Sequence, residues 1–179
     1  MKNVLYTGRP EDVEGRLSKE VACYDLLDGL GVSYTRVDHD FADTIEACEA
    51  VEQVLGEKIC KNLFLCNRQK TEFYLLAMPG DKQFQTKELS HQLGTARLSF
   101  APPELMESML RCTPGSASVL GLAYDTERRV RLVMDRAVHD AAWFGCHPCK
   151  SDASLRIRAR DLLEKFFPHT GHEITVVDL

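Results

Sequence analysis

Three short polar stretches hold the groups with which this chain could act on a substrate. The first is Lys61-Asn62, directly before the apolar run Leu63-Phe64-Leu65. An ammonium at a strand start can project over a sheet edge or into a cleft, and a lysine there also serves to blunt an exposed edge. The second is Pro114-Gly115-Ser116-Ala117-Ser118. Small residues let backbone N–H groups face a ligand and hold a carbonyl oxygen as it becomes an oxyanion. Proline and glycine are also ordinary turn punctuation. The third is Gly145-Cys146-His147-Pro148-Cys149, just after Trp143-Phe144. His147 offers a base, a hydrogen bond to substrate or a metal ligand. Cys146 and Cys149 have the spacing of half a zinc site. The second half would have to come from Cys112 or from His169 with His172, at no standard spacing. A redox pair wants its cysteines at a helix start, and here a polar loop follows. No phosphate-cradling glycine loop, kinase signature or nucleophile elbow is present.

The elements that must position these stretches follow from periodicity. Residues 15–30 read as a helix, with Leu17, Val21, Tyr24 and Leu27 near helical spacing and a stop at Gly29 and Gly31. Ser33 to Val37 alternates like a strand. Asp43-Thr44-Ile45-Glu46 has the form of a capping box, and the helix it opens ends at Gly56. Asn62 to Cys66 and Phe73 to Met78 predict a hairpin around Asn67 to Thr71. Short helices are expected at Thr86–Leu93, after Pro102-Pro103 through Leu110 with proline accepted in the first turn, and at Asp161–Phe167. Further strands are expected at Arg97–Phe100, Val130–Met134, Ala142–Phe144, Ser154–Ile157 and Glu173–Val177. Strands dominate the middle and helices the flanks, an α+β pattern around a mixed or antiparallel sheet.

The 179 residues are 44% hydrophobic and 27% charged, ordinary for one globular domain. No apolar run approaches the roughly 20 residues that span a bilayer, and Met1 to Pro10 has no signal-peptide character. Seven scattered cysteines fit reduced thiols and not a disulfide framework. The expected location is therefore the cytoplasm. The net charge is −5, unevenly spread: residues 1–60 carry 13 acidic and 6 basic side chains, residues 61–179 carry 14 and 16. Arg128, Arg129 and Arg131 form one basic stretch, and Arg156, Arg158 and Arg160 another. Binding of a polyanion responds to such local fields, although a solvated face has the same composition.

Lys61-Asn62-Leu63-Phe64-Leu65, Arg97-Leu98-Ser99-Phe100-Ala101, Pro114-Gly115-Ser116-Ala117-Ser118-Val119 and Gly145-Cys146-His147-Pro148, in that order, resemble the YbaK/prolyl-tRNA editing family. The likeness is strongest to its free-standing members and covers about residues 15–179. It implies one editing domain over 1–179, with an N-terminal helical segment at about 15–56 and a curved mixed sheet flanked by helices. It implies a deacylase of mischarged tRNA, alanyl-tRNA(Pro) first. A deacylase of cysteinyl- or seryl-tRNA and a non-catalytic tRNA- or synthetase-binding module are the alternatives. The implied partners are the acceptor end of tRNA(Pro) and prolyl-tRNA synthetase, with no cofactor, metal or membrane. Lys61, Gly115 and His147 would be catalytic. Asn62, Ser116, Ala117, Ser118 and Ser151 would line the substrate site, and Arg128, Arg129, Arg156, Arg158 and Arg160 would hold tRNA. Ser151 stands where the family usually carries asparagine, and Ala117 replaces a valine.

Overall fold

The hairpin predicted in the middle of the chain is the centre of the molecule. In a computed structural model describing residues 3–42 and 44–179, β3 (Lys61–Cys66) pairs antiparallel with β4 (Phe73–Met78), from Lys61 opposite Met78 to Cys66 opposite Phe73. The connecting turn is held by Asn67, whose Oδ1 accepts from the Thr71 N–H at 2.9 Å. All six residues of β4 are buried. That fits a strand covered on both faces and paired in parallel with β6 (Val130–Asp135). β9 (Ile174–Val177) adds parallel to β6, and the two-residue β5 (Ser99–Phe100) closes the other edge. The sheet order is β5-β3-β4-β6-β9.

The expected mixed sheet is this five-stranded one, and a second sheet stands beside it. The second is antiparallel, with order β1-β2-β8-β7: β1 (Val4–Thr7), β2 (Tyr34–Asp38), β8 (Ala153–Arg158) and β7 (Trp143–Cys146). The α+β class stands. β1 was not foreseen, because Val4-Leu5-Tyr6 lies at an exposed edge and shows no alternation. The sheets meet at one seam, where Ile59 bridges Gly145 and the Cys60 N–H donates to the Gly145 carbonyl at 2.9 Å. A Cβ at Gly145 would stand 2.3 Å from the Lys58 carbonyl oxygen, and one at Gly80 2.4 Å from that of Ile59. Only glycine fits on either side of this segment.

The main core lies between the sheets. It joins Phe64, Phe73 and Leu75 to Phe144, Leu155 and Ile157, closed by α1 (Ser18–Gly29) and by Phe166 and Phe167 near the C-terminus. The helix α3 (Thr86–Leu93) has the expected bounds, and α4 (Pro103–Leu110) ends where expected and takes Pro103 as its first residue. α3 covers the other face of the five-stranded sheet, where Leu65, Leu76, Leu89 and Val133 form a smaller cluster. α2 (Ile45–Leu55) lies on the outer face of the second sheet through Val51 and Leu55 against Val37. Its cap is Thr44, whose side chain accepts from the Ala47 N–H, and it ends at Gly56 at φ 73°. Asp43, expected at that cap, lies outside the described residues. After β6, α5 (Arg136–His139) is a single turn. The C-terminal helix runs longer than expected, as α6 (Ala159–Asp161), a π turn at Leu162–Phe166 and α7 (Phe167–Thr170). Pro168 lacks the N–H that a regular α-helix would need there, which accounts for the wider turn before it.

Candidate active site

A cleft of about 640 Å³ opens where the two sheets meet. On the sheet side it is bordered by Ile59, Cys60, Lys61, Gly80 and His147, and on the other by Phe41, Ile45, Cys48 and Glu49 at the start of α2. Three of the motif residues meet here. Lys61 is the first residue of β3, and its Nζ donates to the Lys82 carbonyl at 2.7 Å. That bond holds the ammonium at the cleft edge. At the rim, Lys58 and Asp81 form an exposed ion pair at 2.5 Å, which holds the Asp81 carboxyl below the usual range.

His147 follows β7, directly past the seam. Its Nδ1–H donates to the Ala153 carbonyl at 2.9 Å, because a carbonyl can only accept. Burial pushes its pKa below the ordinary histidine value. The neutral ring then leaves Nε2 as a lone-pair acceptor, with no partner among the described residues.

Gly115 borders the cleft at φ 85°, a left-handed conformation that disfavours any side chain. The serines beside it turn inward. Ser116 is buried; its Oγ donates to the Thr113 carbonyl at 3.0 Å and accepts from the Thr113 N–H at 3.0 Å. Ser118 is buried and caps the 3₁₀ turn Val119–Tyr124, accepting from the Leu120 N–H at 3.1 Å. Their hydroxyls shape the loop, and neither they nor Ala117 border the cleft. Ser151 does. Asn62 sits behind Lys61, its Nδ2 donating to the Cys60 carbonyl at 3.1 Å; its buried Oδ1 has no partner among the described residues.

The basic residues divide. Arg156 and Arg158 lie 3.9 and 4.7 Å from the ring centre of Trp143, and the Arg156 Nη1 reaches under Gly56 at the end of α2. Arg160 pairs with Glu164 at 2.8 Å. Arg128 and Arg129 precede β6, and the Arg129 guanidinium lies 5.5 Å over Phe73. Phe73 and Lys61 stand at opposite ends of the hairpin, roughly 16 Å apart at strand spacing. Cys149, from the zinc half-motif, has its Sγ 3.7 Å from the Cys23 Sγ in the core, away from the cleft.

Residues 39–165 match the aminoacyl-tRNA editing domain. This chain belongs to that family. As an editing-domain protein it is an aminoacyl-tRNA deacylase. It is 29% identical over 153 residues to the prolyl-tRNA editing protein ProX of Acetoanaerobium sticklandii, covering 86% of this chain and 93% of that one. It is 31% identical over 150 residues to the prolyl-tRNA synthetase associated domain-containing protein 1 of Danio rerio, covering 83% and 80%. Its fold is similar to a solved structure presented as a candidate trans-editing enzyme for prolyl-tRNA synthetase, with TM-score 0.67, 15% identity and coverage of 91% and 98%. Among the described residues, no helix is long and apolar enough to cross a membrane.

The sequence patterns did not point to His39, Phe41, Ile45 or Cys48 as site residues. They border the cleft from the segment after β2 and the start of α2, where the sequence showed a helix cap and no chemical motif.

Proposed function

We propose that this editing-domain protein hydrolyses alanyl-tRNA(Pro) in trans and spares prolyl-tRNA(Pro). The observation that carries the reading is the convergence of Lys61, Gly115 and His147 on one cleft from three separate parts of the chain. An aminoacyl ester is already an activated acyl group. Its hydrolysis needs a placed water, a stabilised oxyanion and a pocket that rejects the correct amino acid, and no protein nucleophile. Lys61, held at the cleft edge by the Lys82 carbonyl, positions the acceptor end through its charge on phosphate or the ester. The backbone at Gly115 approaches the ester carbonyl without a side chain in the way. The Nε2 of His147 accepts a hydrogen bond from a hydroxyl of the terminal ribose. A vicinal ribose hydroxyl helps to place the attacking water.

Selection against proline is steric: a small pocket excludes a larger side chain more readily than the reverse. The basic groups around Arg156 and Arg128 hold the tRNA backbone, and prolyl-tRNA synthetase is the partner that supplies the mischarged substrate. The test is deacylation by the purified protein of tRNA(Pro) carrying alanine or proline, beside cysteinyl- and seryl-tRNA. Fast release of alanine with proline retained is the expected result. Equal turnover of both proline-tRNA esters, or preference for the cysteinyl or seryl ester, overturns the substrate assignment.

A further inference from the structure

A second histidine lies behind His147 and has no part in the reaction as described. His39 follows β2, is 5% exposed and borders the base of the cleft. Its Nδ1 lies 2.8 Å from the Asp40 carbonyl and its Nε2 2.8 Å from the Ser154 Oγ. Ser154 is fully buried on β8, and its Oγ is also 3.5 Å from the His147 Nδ1.

These distances restrict where each proton can sit. The Asp40 carbonyl can only accept, so His39 carries its proton on Nδ1. With a single ring proton, on Nδ1, the His39 Nε2 accepts, and Ser154 gives it its one hydroxyl proton. The Ser154 oxygen is left with lone pairs only toward His147. That agrees with an Nδ1–H on His147, donated at 2.9 Å to the Ala153 carbonyl with Ser154 as a longer second acceptor. Every proton in the chain from His147 through Ser154 and His39 to Asp40 points the same way.

We infer that His39 is a positioning residue: by accepting the Ser154 proton, it keeps that hydroxyl from donating to His147 and so holds the His147 Nε2 as an acceptor toward the substrate. Without His39 the Ser154 proton is released, and the His147 Nδ1 lies 3.5 Å from that oxygen as an alternative acceptor. Donation there favours the other tautomer, with the proton on Nε2 facing the cleft. A donor at that position cannot accept a hydrogen bond from a ribose hydroxyl. The catalytic consequence rests on the deacylase reading. The proton assignment does not.

The test is long-range ¹H–¹⁵N correlation spectroscopy on protein labelled with ¹⁵N-histidine, which reports the tautomer without substrate. His147 and His39 are both expected to carry their proton on Nδ1. His39→Leu should give a mixture of tautomers at His147, and kcat/KM on alanyl-tRNA(Pro) should fall in proportion to the lost form, roughly two- to tenfold. His39→Gln, whose amide oxygen can accept from Ser154, should keep the native tautomer. The decisive variant is His39→Leu with Ser154→Ala. With the competing proton removed, the Nδ1–H form of His147 should return, which no purely structural role for His39 predicts. An Nε2–H form in the unmodified protein overturns the inference, and that measurement stands even where His39→Leu fails to fold. So does an unchanged tautomer in His39→Leu, or a double variant that does not restore it. A protein showing these tautomer shifts but no deacylation of alanyl-tRNA(Pro) supports the relay and sinks the substrate reading.

Discussion

The two walls of the cleft differ in what stands behind them. Lys61 and His147 rise from strands packed on the main core, and the segment between the sheets is held by Gly80 and Gly145 at distances that exclude a methyl group. The opposite wall is the start of α2, where Phe41 is 61% and Ile45 75% exposed. Among the described residues, the buried cluster beneath that helix is Val37, Val51 and Leu55. Lys61 and His147 are therefore on the wall with the larger anchor. Phe41 and Ile45, with Glu49 beside them, are on the one with the smaller anchor. Transition-state stabilisation requires donors fixed before the reaction, whereas shape selection tolerates a wall that adjusts.

The largest effect should come from the fixed wall. Lys61→Ala is expected to lower deacylation by about two orders of magnitude, the scale lost with one electrostatic stabiliser. Its single hydrogen bond, at a half-buried position, contributes about 1 kcal/mol to folding, so Tm should move by only a few degrees. Lys61→Arg should also be poor, since a planar fork does not replace a compact ammonium. Early melting, or activity kept in Lys61→Ala, would place the lysine outside the reaction.

Gly145→Ala tests the rigidity of the seam. A methyl 2.3 Å from the Lys58 carbonyl must push the two sheets apart. Overpacking of this kind costs about 1–3 kcal/mol, which calorimetry would read as a Tm lowered by several degrees. Because the seam sets the separation of Lys61 and His147, deacylation at a permissive temperature should fall too. Full activity in a fully stable Gly145→Ala would show that the walls are not fixed in the way described.

The His147 ring adds a pH dependence. Burial lowers its pKa, so at pH 7 it is neutral in the fold. As pH falls below the ordinary histidine value of about 6.5, the unfolded chain takes up this proton before the folded one. The contribution of His147 to stability is thus complete above that pH and is lost on acidification. Activity that needs Nε2 as an acceptor should follow with a limb below pH 6.5, and His147→Gln should flatten that limb. An acidic limb unchanged in His147→Gln would assign it to another group.

Smaller again is the effect of the arginines. Arg156 and Arg158 flank Trp143 beside the end of α2, whereas Arg128 and Arg129 sit at the far end of the hairpin. Replacing Arg156, Arg158 and Arg160 with alanine should weaken tRNA binding by roughly fivefold near 0.15 M salt and reduce its salt slope. Binding that keeps its full salt dependence would make this a solvated face.

The same division separates what was legible in the sequence from what was not. The β3–β4 hairpin, α3 and α4 are local, and their periodicity and caps place them within a residue. Lys61, Gly115 and His147 carry motifs, and all three reach the cleft. Ser116 and Ser118 share the Gly115 motif, but a serine in a tight turn bonds its own backbone, and both are spent there. The division into two sheets hangs on one bridge between Ile59 and Gly145, residues far apart in sequence. No local pattern encodes it. His39 was invisible for the same reason, since its partner Ser154 lies 115 positions away.

The smallest effect, and the one that most sharpens the comparison, is expected at Ile45. In an enclosed pocket one methylene can discriminate by 1–3 kcal/mol, or about 10–200-fold. Ile45 is largely exposed, so most of its surface stays in water and only a fraction of that energy is available to reject a larger substrate. Ile45→Ala should therefore raise the rate on prolyl-tRNA(Pro) by only about threefold while leaving kcat on the alanyl ester nearly unchanged. The change should be in relative kcat/KM, as expected if this wall meets the substrate side chain and not the reacting carbonyl. Folding should also be unaffected, since the helix is held by Val51 and Leu55 on its other side. A large fall in kcat on the alanyl ester would mean that α2 helps to place the reacting groups, and the walls would then share one function.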